Sequence, residues 1–545
     1  MQPKKLPHLE WIIAILVTLA AVALHVSFWL HVGSLWCDEA NLLNVSQRHT
    51  FADMAKDSFP ITMPLTVHAW VAAGLGRSDL TLRFLGLLIG LGVLAVLWIS
   101  SWRIRRAPPL LGLVLFGLNS VLITFGDSLR AYGLGSLVAI ALVASAFLYL
   151  KEPSGKRAVW LAVLAILNVQ VLYNNAVLVA AVCFGVWAVC WRRADKRAAL
   201  QILGVAVISA ASLLPYLHNF IANNDTSVAL RVGASKLRFF SSYDSVFDSP
   251  ISGYRYDWIL LAFVVLLCAG VGFLKKSAPG IKTDTRFGDP DFTLFASVTI
   301  LVATVAFPVF FWYARLPGAS WYLLPYAAVI VMCFDAALPA FTGKVRGIFL
   351  AFIVVTALLS LPLTYRSVAD HFSNMESCAQ LLAADAAPDD YILVCPWHCG
   401  ITFSYYYKGT TPWETVPPLA DHSAHRYDLV MLQMENTNAL APLLQKVSQT
   451  LQSGHRVWIA SDRDWIVIPP PGTPAPATLP LPPLKYTGWA WSRYSEVWCD
   501  QTAHFLADHS ATFQQLPSTN STETFGEENL KMFMASGWRT NQAAP

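Results

Sequence analysis

The sequence is short of charge. Only 13% of its 545 residues are Asp, Glu, Lys or Arg, while 55% are hydrophobic. An average soluble protein carries about 25% charged residues. This deficit excludes a disordered chain and argues against a wholly soluble one. An excess of one sign is also missing: 38 Lys+Arg stand against 34 Asp+Glu, a net charge of +4. A nucleic-acid binder needs a markedly basic face, so that class is excluded. No internal repeat is visible. The nine cysteines have no regular zinc spacing; Cys395, His398 and Cys399 are the nearest approach to one.

The sequence does hold long apolar runs. A helix crosses a bilayer core of about 30 Å with roughly 20 apolar residues. Eleven stretches approach this: 11–31, 80–102, 108–125, 131–150, 159–173, 176–191, 200–217, 258–274, 292–313, 322–340 and 348–365. Two of them meet at Tyr173, Asn174 and Asn175, where one interrupted helix is the alternative. With Lys4 and Lys5 inside, every inner connection is basic, from Arg103, Arg105 and Arg106 to Lys344 and Arg346. This is the distribution of the positive-inside rule. The expectation is a mainly α, polytopic membrane helix bundle of about eleven spans. Its N-terminus is cytoplasmic, and everything after Tyr365 is outside. The first run could also be a signal peptide, with Ala21-Val22-Ala23 as cleavage site. Its continuation through Trp29 favours a retained anchor.

Residues 1–365 thus form the membrane domain, with two long outer loops at 32–79 and 218–257. Long ordered loops usually carry function. Residues 366–545 read as a C-terminal extracytoplasmic α/β domain. Short apolar runs at 391–394, 429–432 and 457–460 suit buried strands, with helices at 372–386 and 439–451. The Pro-rich stretch 469–483 reads as a surface loop, and the last twenty or so residues as frayed. An oxidising exterior permits disulfides among Cys378, Cys395, Cys399 and Cys499. Cys183, Cys190, Cys268 and Cys333 read as packing residues inside helices. The sequons at Asn44, Asn224 and Asn520 do not decide the source, because chance supplies a few in a chain this long.

The sharpest candidate is Asp38-Glu39, just beyond the first apolar run. The pair could cap a helix over 38–45, where acidic residues favour the N-terminus, or serve as general base or metal ligand. Next come Asp127 and Arg130 in a short outer connection. They could close the loop as an ion pair, or Arg130 could meet an anionic head group. Lys236 and Arg238, beside Phe239 and Phe240, suit a lipid phosphate or interfacial anchoring. Asn174 sits in a polar turn. Arg315, Trp321 and Tyr322 suit a snorkelling anchor and an aromatic belt. Asp335 is the nearest approach to a charge inside a span.

These pieces resemble, in order, the polytopic membrane glycosyltransferases of the GT-C class. The similarity is greatest to the group of protein O-mannosyltransferases, lipid A aminoarabinose transferases and rhizobial galacturonosyltransferases, glycosyltransferase family 39-like. It spans about residues 9–363. It rests on the acidic pair Asp38-Glu39 after the first helix, on Pro64 to Trp70 leading to Gly76-Arg77-Ser78-Asp79 and Leu82-Arg83, on Arg130-Ala131-Tyr132, and on Tyr322-Leu323-Leu324-Pro325. The chain departs from the pattern with Trp321 in place of a basic residue, and with Asp127 further from Arg130 than is usual.

The resemblance implies transfer of a sugar from a polyprenyl-phosphate carrier to a protein, lipid or glycan hydroxyl on the outer side of the plasma (inner) membrane. Asp38 would be the general base, and Glu39 would orient the acceptor or help a cation. Arg130, Lys236, Arg238 and Arg315 would neutralise the donor phosphate. Asp127, Tyr132, Asn174 and Tyr322 would contact substrate. No cofactor is required, and a divalent cation is optional. Two other classes compete: a transporter or flippase, and a non-catalytic membrane scaffold with an outer domain. Transporters place ionisable groups at the midplane. Here the polar candidates cluster on one face, which suits one-sided chemistry.

Overall fold

The computed structural model describes residues 7–55, 60–217, 239–276, 289–314, 318–338, 343–482, 491–517 and 525–539. Its contacts divide the chain into two compact units. The first comprises Met1–Leu30, Thr50–His218 and Leu237–Ala369; the second comprises His31–His49, Asn219–Lys236 and Asp370–Pro545. The beginning of the 32–79 loop therefore groups with the tail.

The first unit is helical. Eight helices among the described residues are long and apolar enough to cross a membrane: Leu9–His31, Asp79–Arg105, Ala131–Lys151, Asn175–Arg192, Lys196–Tyr216, Pro290–Ala314, Ser320–Ala337 and Lys344–Val368. Their outward faces carry large apolar side chains, such as Leu19 (61% exposed), Leu358 (65%) and Ile348 (70%). Water penalises such a surface and lipid does not. The chain is an integral multi-pass membrane protein.

The other three expected spans differ in form. Tyr254–Lys276 is a continuous helix of 23 residues. Gly155–Val171 has 17 residues and ends where Leu172 turns extended, so 159–173 and 176–191 belong to separate helices. The 108–125 run is broken into Gly112–Phe116 and Ser120–Gly126. The break falls at 117–119, where the Asn119 side-chain oxygen accepts the N–H groups of Val121 (3.0 Å) and Leu122 (3.3 Å) and caps a new helix. At the beginning of the run the Asp335 carboxylate accepts the backbone N–H groups of Leu111 (3.1 Å) and Gly112 (2.7 Å), satisfying helix-start donors that have no partner within the helix. Asp335 is structural here.

Glycines let the backbone close up around the 126–127 turn. A Cβ on Gly86 would lie 1.8 Å from the Asp127 carbonyl oxygen, and one on Gly133 would lie 2.0 Å from that of Gly126. Small residues permit this approach in membrane helices.

The second unit is mixed α/β. Its five-stranded sheet has the order β3 (Trp413–Thr415), β2 (Tyr391–Cys395), β4 (Val457–Asp462), β7 (Leu530–Trp538), β5 (Ser510–Gln515). The first three are parallel; β7 runs antiparallel to both its neighbours. Every residue of β2 and β4 is buried, as expected for parallel strands covered on both faces. Leu393 and Cys395 pack with Val447, Leu451 and Trp498 on one face, while Ile392 and Val394 pack with Met375, Leu382 and Phe403 on the other. A second, two-stranded parallel sheet joins β1 (His371–Ser373) to β6 (Phe525–Glu528).

Strands β2 and β4 and the helices Met375–Asp385 and Ala441–Gln452 lie where the patterns predict them. Two expectations are corrected. The 429–432 run lies in the helix Tyr427–Met434, because four apolar residues fit a helix face as well as a strand. The C-terminal stretch is not frayed throughout: β7 is an inner strand held by β4 and β5. The expected disulfides are also absent, since all nine cysteines are free and buried thiols.

The glycine contacts predict that Gly86→Ala lowers the thermal midpoint of the detergent-solubilised protein by several degrees. Overpacking of this kind costs about 1–3 kcal/mol. Gly204→Ala, where an added Cβ meets nothing within 4 Å, leaves the midpoint unchanged. A scanning fluorimetry comparison of the two decides.

Candidate active site

Residues 32–37 enter the second unit as an added edge. The Phe372 N–H donates to the Val32 carbonyl (2.8 Å) and the Ser34 hydroxyl to the Ser373 carbonyl (2.7 Å). The Leu35 N–H donates to the Tyr406 hydroxyl at 2.7 Å. Gly33 takes φ +76°, and His371 lies so close that a Cβ would sit 2.7 Å from its Nδ1; a residue with a side chain fits neither condition.

The segment is fixed by Glu528 at the end of β6. Its Oε1 accepts the Cys37 N–H (2.8 Å) and the Thr402 hydroxyl (2.9 Å), and its Oε2 accepts the Ser373 hydroxyl (2.8 Å). The carboxyl is 2% exposed. Burial pushes it up to about 8, against the three hydrogen bonds that lower it. Burial and the Asp38 charge push the neighbouring Glu527 up to about 7.

The helix Cys37–Ser46 then begins. The fully buried Glu39 reaches back with its carboxylate to the Trp36 N–H at 3.5 Å, which is the acidic half of a capping box. The capping role therefore falls to Glu39 and leaves Asp38 for another partner. That partner is His425, whose Nε2 lies 2.9 Å from Asp38 Oδ1. The Asp38 side chain is 18% exposed, so it is largely but not wholly withdrawn from water. The His425 N–H donates to Asn41 Oδ1 (3.0 Å), and Asn44 Nδ2 donates to the Ser423 carbonyl (2.9 Å). Arg426 braces the same loop by pairing with Asp428 and Asp421. With Nε2–H donating to Asp38, His425 Nδ1 is the bare nitrogen; no group among the described residues pairs with it. His398 is held down to about 3, first by burial and then by His425, with Asp38 opposing. It is a neutral imidazole at physiological pH.

Cys37, Asp38 and His425 each offer a ligand atom, all within 4.8 Å of one another. Thiolate, carboxylate and imidazole form a set that zinc accepts. Burial, then the Glu528 and Asp38 charges, hold the Cys37 thiol well above its ordinary value, so without an ion it stays protonated. Cys395, His398 and Cys399 do not form the grouping.

The remaining candidates fall in the helical unit. Asp127 is 2% exposed, and its Oδ2 lies 2.6 Å from Nδ1 of His25, itself 5% exposed. The pair lines a small cavity with Gly90, Gly133 and Ser136. The Arg130 guanidinium, also buried, lies 5.8 Å from the Tyr132 ring centroid. Tyr132 meets Tyr322 edge to face at 5.9 Å, and Asn174 Nδ2 donates to the Tyr322 carbonyl at 3.3 Å. Asn174 thus positions the Tyr322 backbone. Lys236, Arg238 and Arg315 lie outside the described residues.

Sequence reasoning missed His425, His25 and the Glu527-Glu528 pair, and considered His398 only as a metal ligand. The acidic doublet was a usable signal, since two adjacent carboxylates ahead of an apolar strand call for an explanation. His425 had none.

No protein-family model matches the chain, and no curated protein matches it. Its structure is similar to solved GT-C membrane glycosyltransferases. ArnT from Cupriavidus metallidurans bound to undecaprenyl phosphate matches with TM-score 0.45 and 13% identity, over 83% of this chain and 93% of that one. The Archaeoglobus fulgidus oligosaccharyltransferase tethered with an acceptor peptide containing the NVT sequon matches with TM-score 0.49 and 10% identity, over 95% and 74%. The same organism's AglB with an inhibitory peptide and a dolichol-phosphate matches with TM-score 0.46 and 10% identity, over 82% and 69%.

The raised carboxyls predict a pH dependence. Unfolded, Glu528 would release its proton near its ordinary value of 4.5; folded, it keeps it to about 8. The folded state binds more protons between these limits, so its contribution to stability is full below about 4.5 and is lost as pH rises through 8. The thermal midpoint of the full-length protein in nanodiscs therefore falls from pH 5 to pH 8.5. Glu528→Gln, which cannot ionise, flattens that fall. An unchanged slope contradicts the assignment.

Proposed function

We propose that this chain is a membrane glycosyltransferase that moves a sugar from a polyprenyl-phosphate-linked donor to a hydroxyl acceptor on the extracytoplasmic side, with inversion. The observation that carries this reading is the Asp38–His425 pair. It is a carboxylate largely withdrawn from water, held at 2.9 Å by an imidazole, on a segment fixed by several hydrogen bonds. The motif resemblance of Asp38-Glu39, Arg130-Ala131-Tyr132 and Tyr322 to Pro325 supplies the reaction class.

In this reading Asp38 accepts the proton of the acceptor hydroxyl as its oxygen attacks the anomeric carbon. The bond from that carbon to the phosphate oxygen breaks, its electrons stay on the phosphate, and polyprenyl phosphate leaves. One displacement inverts the anomeric centre. The His425 Nε2, 2.9 Å away, orients Asp38. Glu39 sets the helix start from which Asp38 projects. Arg130 neutralises the departing phosphate, since charge that develops there needs a preorganised cation; Lys236, Arg238 and Arg315 join it on the motif argument. Tyr132, Tyr322, Asn174 and Asp127 shape the donor site. No cofactor is needed. A divalent cation is optional and would sit at Cys37, Asp38 and His425. The spans number eleven, with the N-terminus cytoplasmic and the tail outside the plasma membrane.

The test uses protein in proteoliposomes, a panel of polyprenyl-phosphate sugars as donors and a cell-envelope extract as acceptor. Asp38→Asn is expected to insert normally and to lower transfer by about 10²–10⁴-fold, the size of a general-base contribution. His425→Gln lowers kcat less and leaves the donor KM unchanged. Wild-type rates in Asp38→Asn sink the proposal.

A further inference from the structure

Beside the Asp38–His425 pair, the second unit gathers an unusual set of aromatic rings. Trp397 lies 6.1 Å from the His425 ring, 5.3 Å from Tyr427 and 5.7 Å from Trp491. His398 lies 5.4 Å from Trp491 and 6.4 Å from Trp465. The Trp465 and Trp491 rings are nearly parallel, 12° apart with centroids at 6.3 Å. His425 and Tyr427 are also nearly parallel, 18° apart at 5.8 Å. An unbroken series of rings thus leads from Asp38 to Trp465. Trp397 is 1% exposed, while Trp465, Trp491 and Tyr427 are half-buried.

A second observation is independent of the rings. Three nitrogens of this cluster, Trp397 Nε1, His398 Nδ1 and His425 Nδ1, are buried and have no hydrogen-bond partner among the described residues. Buried polar atoms are normally paired, and each exception calls for an explanation. Three exceptions in one cluster next to a carboxylate mark a place built for a polar ligand. A purely apolar ligand would leave all three unpaired at the cost of their desolvation.

We infer that this aromatic wall is the acceptor subsite, and that the acceptor is a glycan presenting a pyranose ring. This rests on Asp38 being the general base. A pyranose has two chemical surfaces. Its axial C–H groups form an apolar face that suits the electron-rich face of an aromatic ring. Its rim of hydroxyls both donates and accepts hydrogen bonds. Half-buried Trp465 and Trp491 offer the face. The indole N–H is a donor, and each imidazole Nδ1 donates or accepts according to its tautomer, so they meet the rim. One hydroxyl of a ring seated there is the group that Asp38 would deprotonate. Pockets of mostly aromatic lining with a few placed polar groups are the usual form of such sites. A serine or threonine of a protein acceptor has a hydroxyl but no broad face to set against Trp465 and Trp491.

Equilibrium dialysis of the full-length protein in nanodiscs, without any donor, tests this. The probes are maltotriose, mannotriose, chitotriose and, separately, a Ser/Thr-containing heptapeptide. At least one trisaccharide is expected to bind saturably. Trp491→Ala and Trp465→Ala each weaken that binding by up to roughly tenfold, the upper range for one aromatic partner. Trp491→Phe restores most of it, at unchanged thermal midpoint. The inference is overturned if no trisaccharide binds, if neither tryptophan variant weakens binding, or if the heptapeptide alone binds. Because no donor is present, trisaccharide binding with no transfer from any polyprenyl-phosphate sugar removes the transferase reading and leaves the glycan site standing. Transfer to protein without trisaccharide binding does the reverse.

Discussion

A buried carboxyl group ties three distant parts of the sequence to one point. Glu528 accepts hydrogen bonds from Cys37, Ser373 and Thr402, which lie 491, 155 and 126 residues away along the chain. A carboxyl withdrawn from water is costly unless its lone pairs are used, and here three donors use them. The position of the segment after the first helix follows from this contact, and the position of Asp38 follows from that segment. Without it, the segment at residues 32–37 would keep its hydrogen bonds to Phe372, Ser373 and Tyr406, but the start of the next helix would lose its anchor.

The acidic pair divides its work along the helix start. Glu39 turns back to the Trp36 N–H, the task that helix geometry assigns to the third helical position. Asp38, one residue earlier, points to His425. One carboxylate thus caps its own helix and the other pairs with an imidazole from a distant loop. The helical unit shows a similar split. Asp335 and Asn174 hold backbone groups, while Arg130 lies beside Tyr132, whose ring meets Tyr322 edge to face.

The helical unit was the most legible part of the sequence, because lipid demands a long apolar run and composition records it directly. The helix breaks were less legible. The division after Phe116 falls at Asn119, which caps the helix that restarts at Ser120, and a single Asn within an apolar run is a weak signal. The tail strands β2 and β4 were readable as short apolar runs, but the 429–432 run was not, since its length fits either element. Strand β7 was missed because its place in the sheet comes from β4 and β5 and not from its own alternation. At the candidate site, Asp38 stood out by position and charge. His425 did not, because a lone histidine in a polar loop carries no signal until folding sets it 2.9 Å from a carboxylate 387 residues earlier. The cationic candidates Lys236, Arg238 and Arg315 lie outside the described residues and rest on the motif resemblance.

The most direct test of the account is a comparison of envelope glycan masses. Glycolipids and polysaccharides would be extracted from cells lacking this protein, and from the same cells carrying the wild-type chain. The account predicts that the deleted cells lack one sugar mass, a hexose, pentose or uronic acid, from a single glycan, and that the wild-type chain restores it. Identical glycan masses in both cells, or a missing sugar confined to proteins, would contradict it.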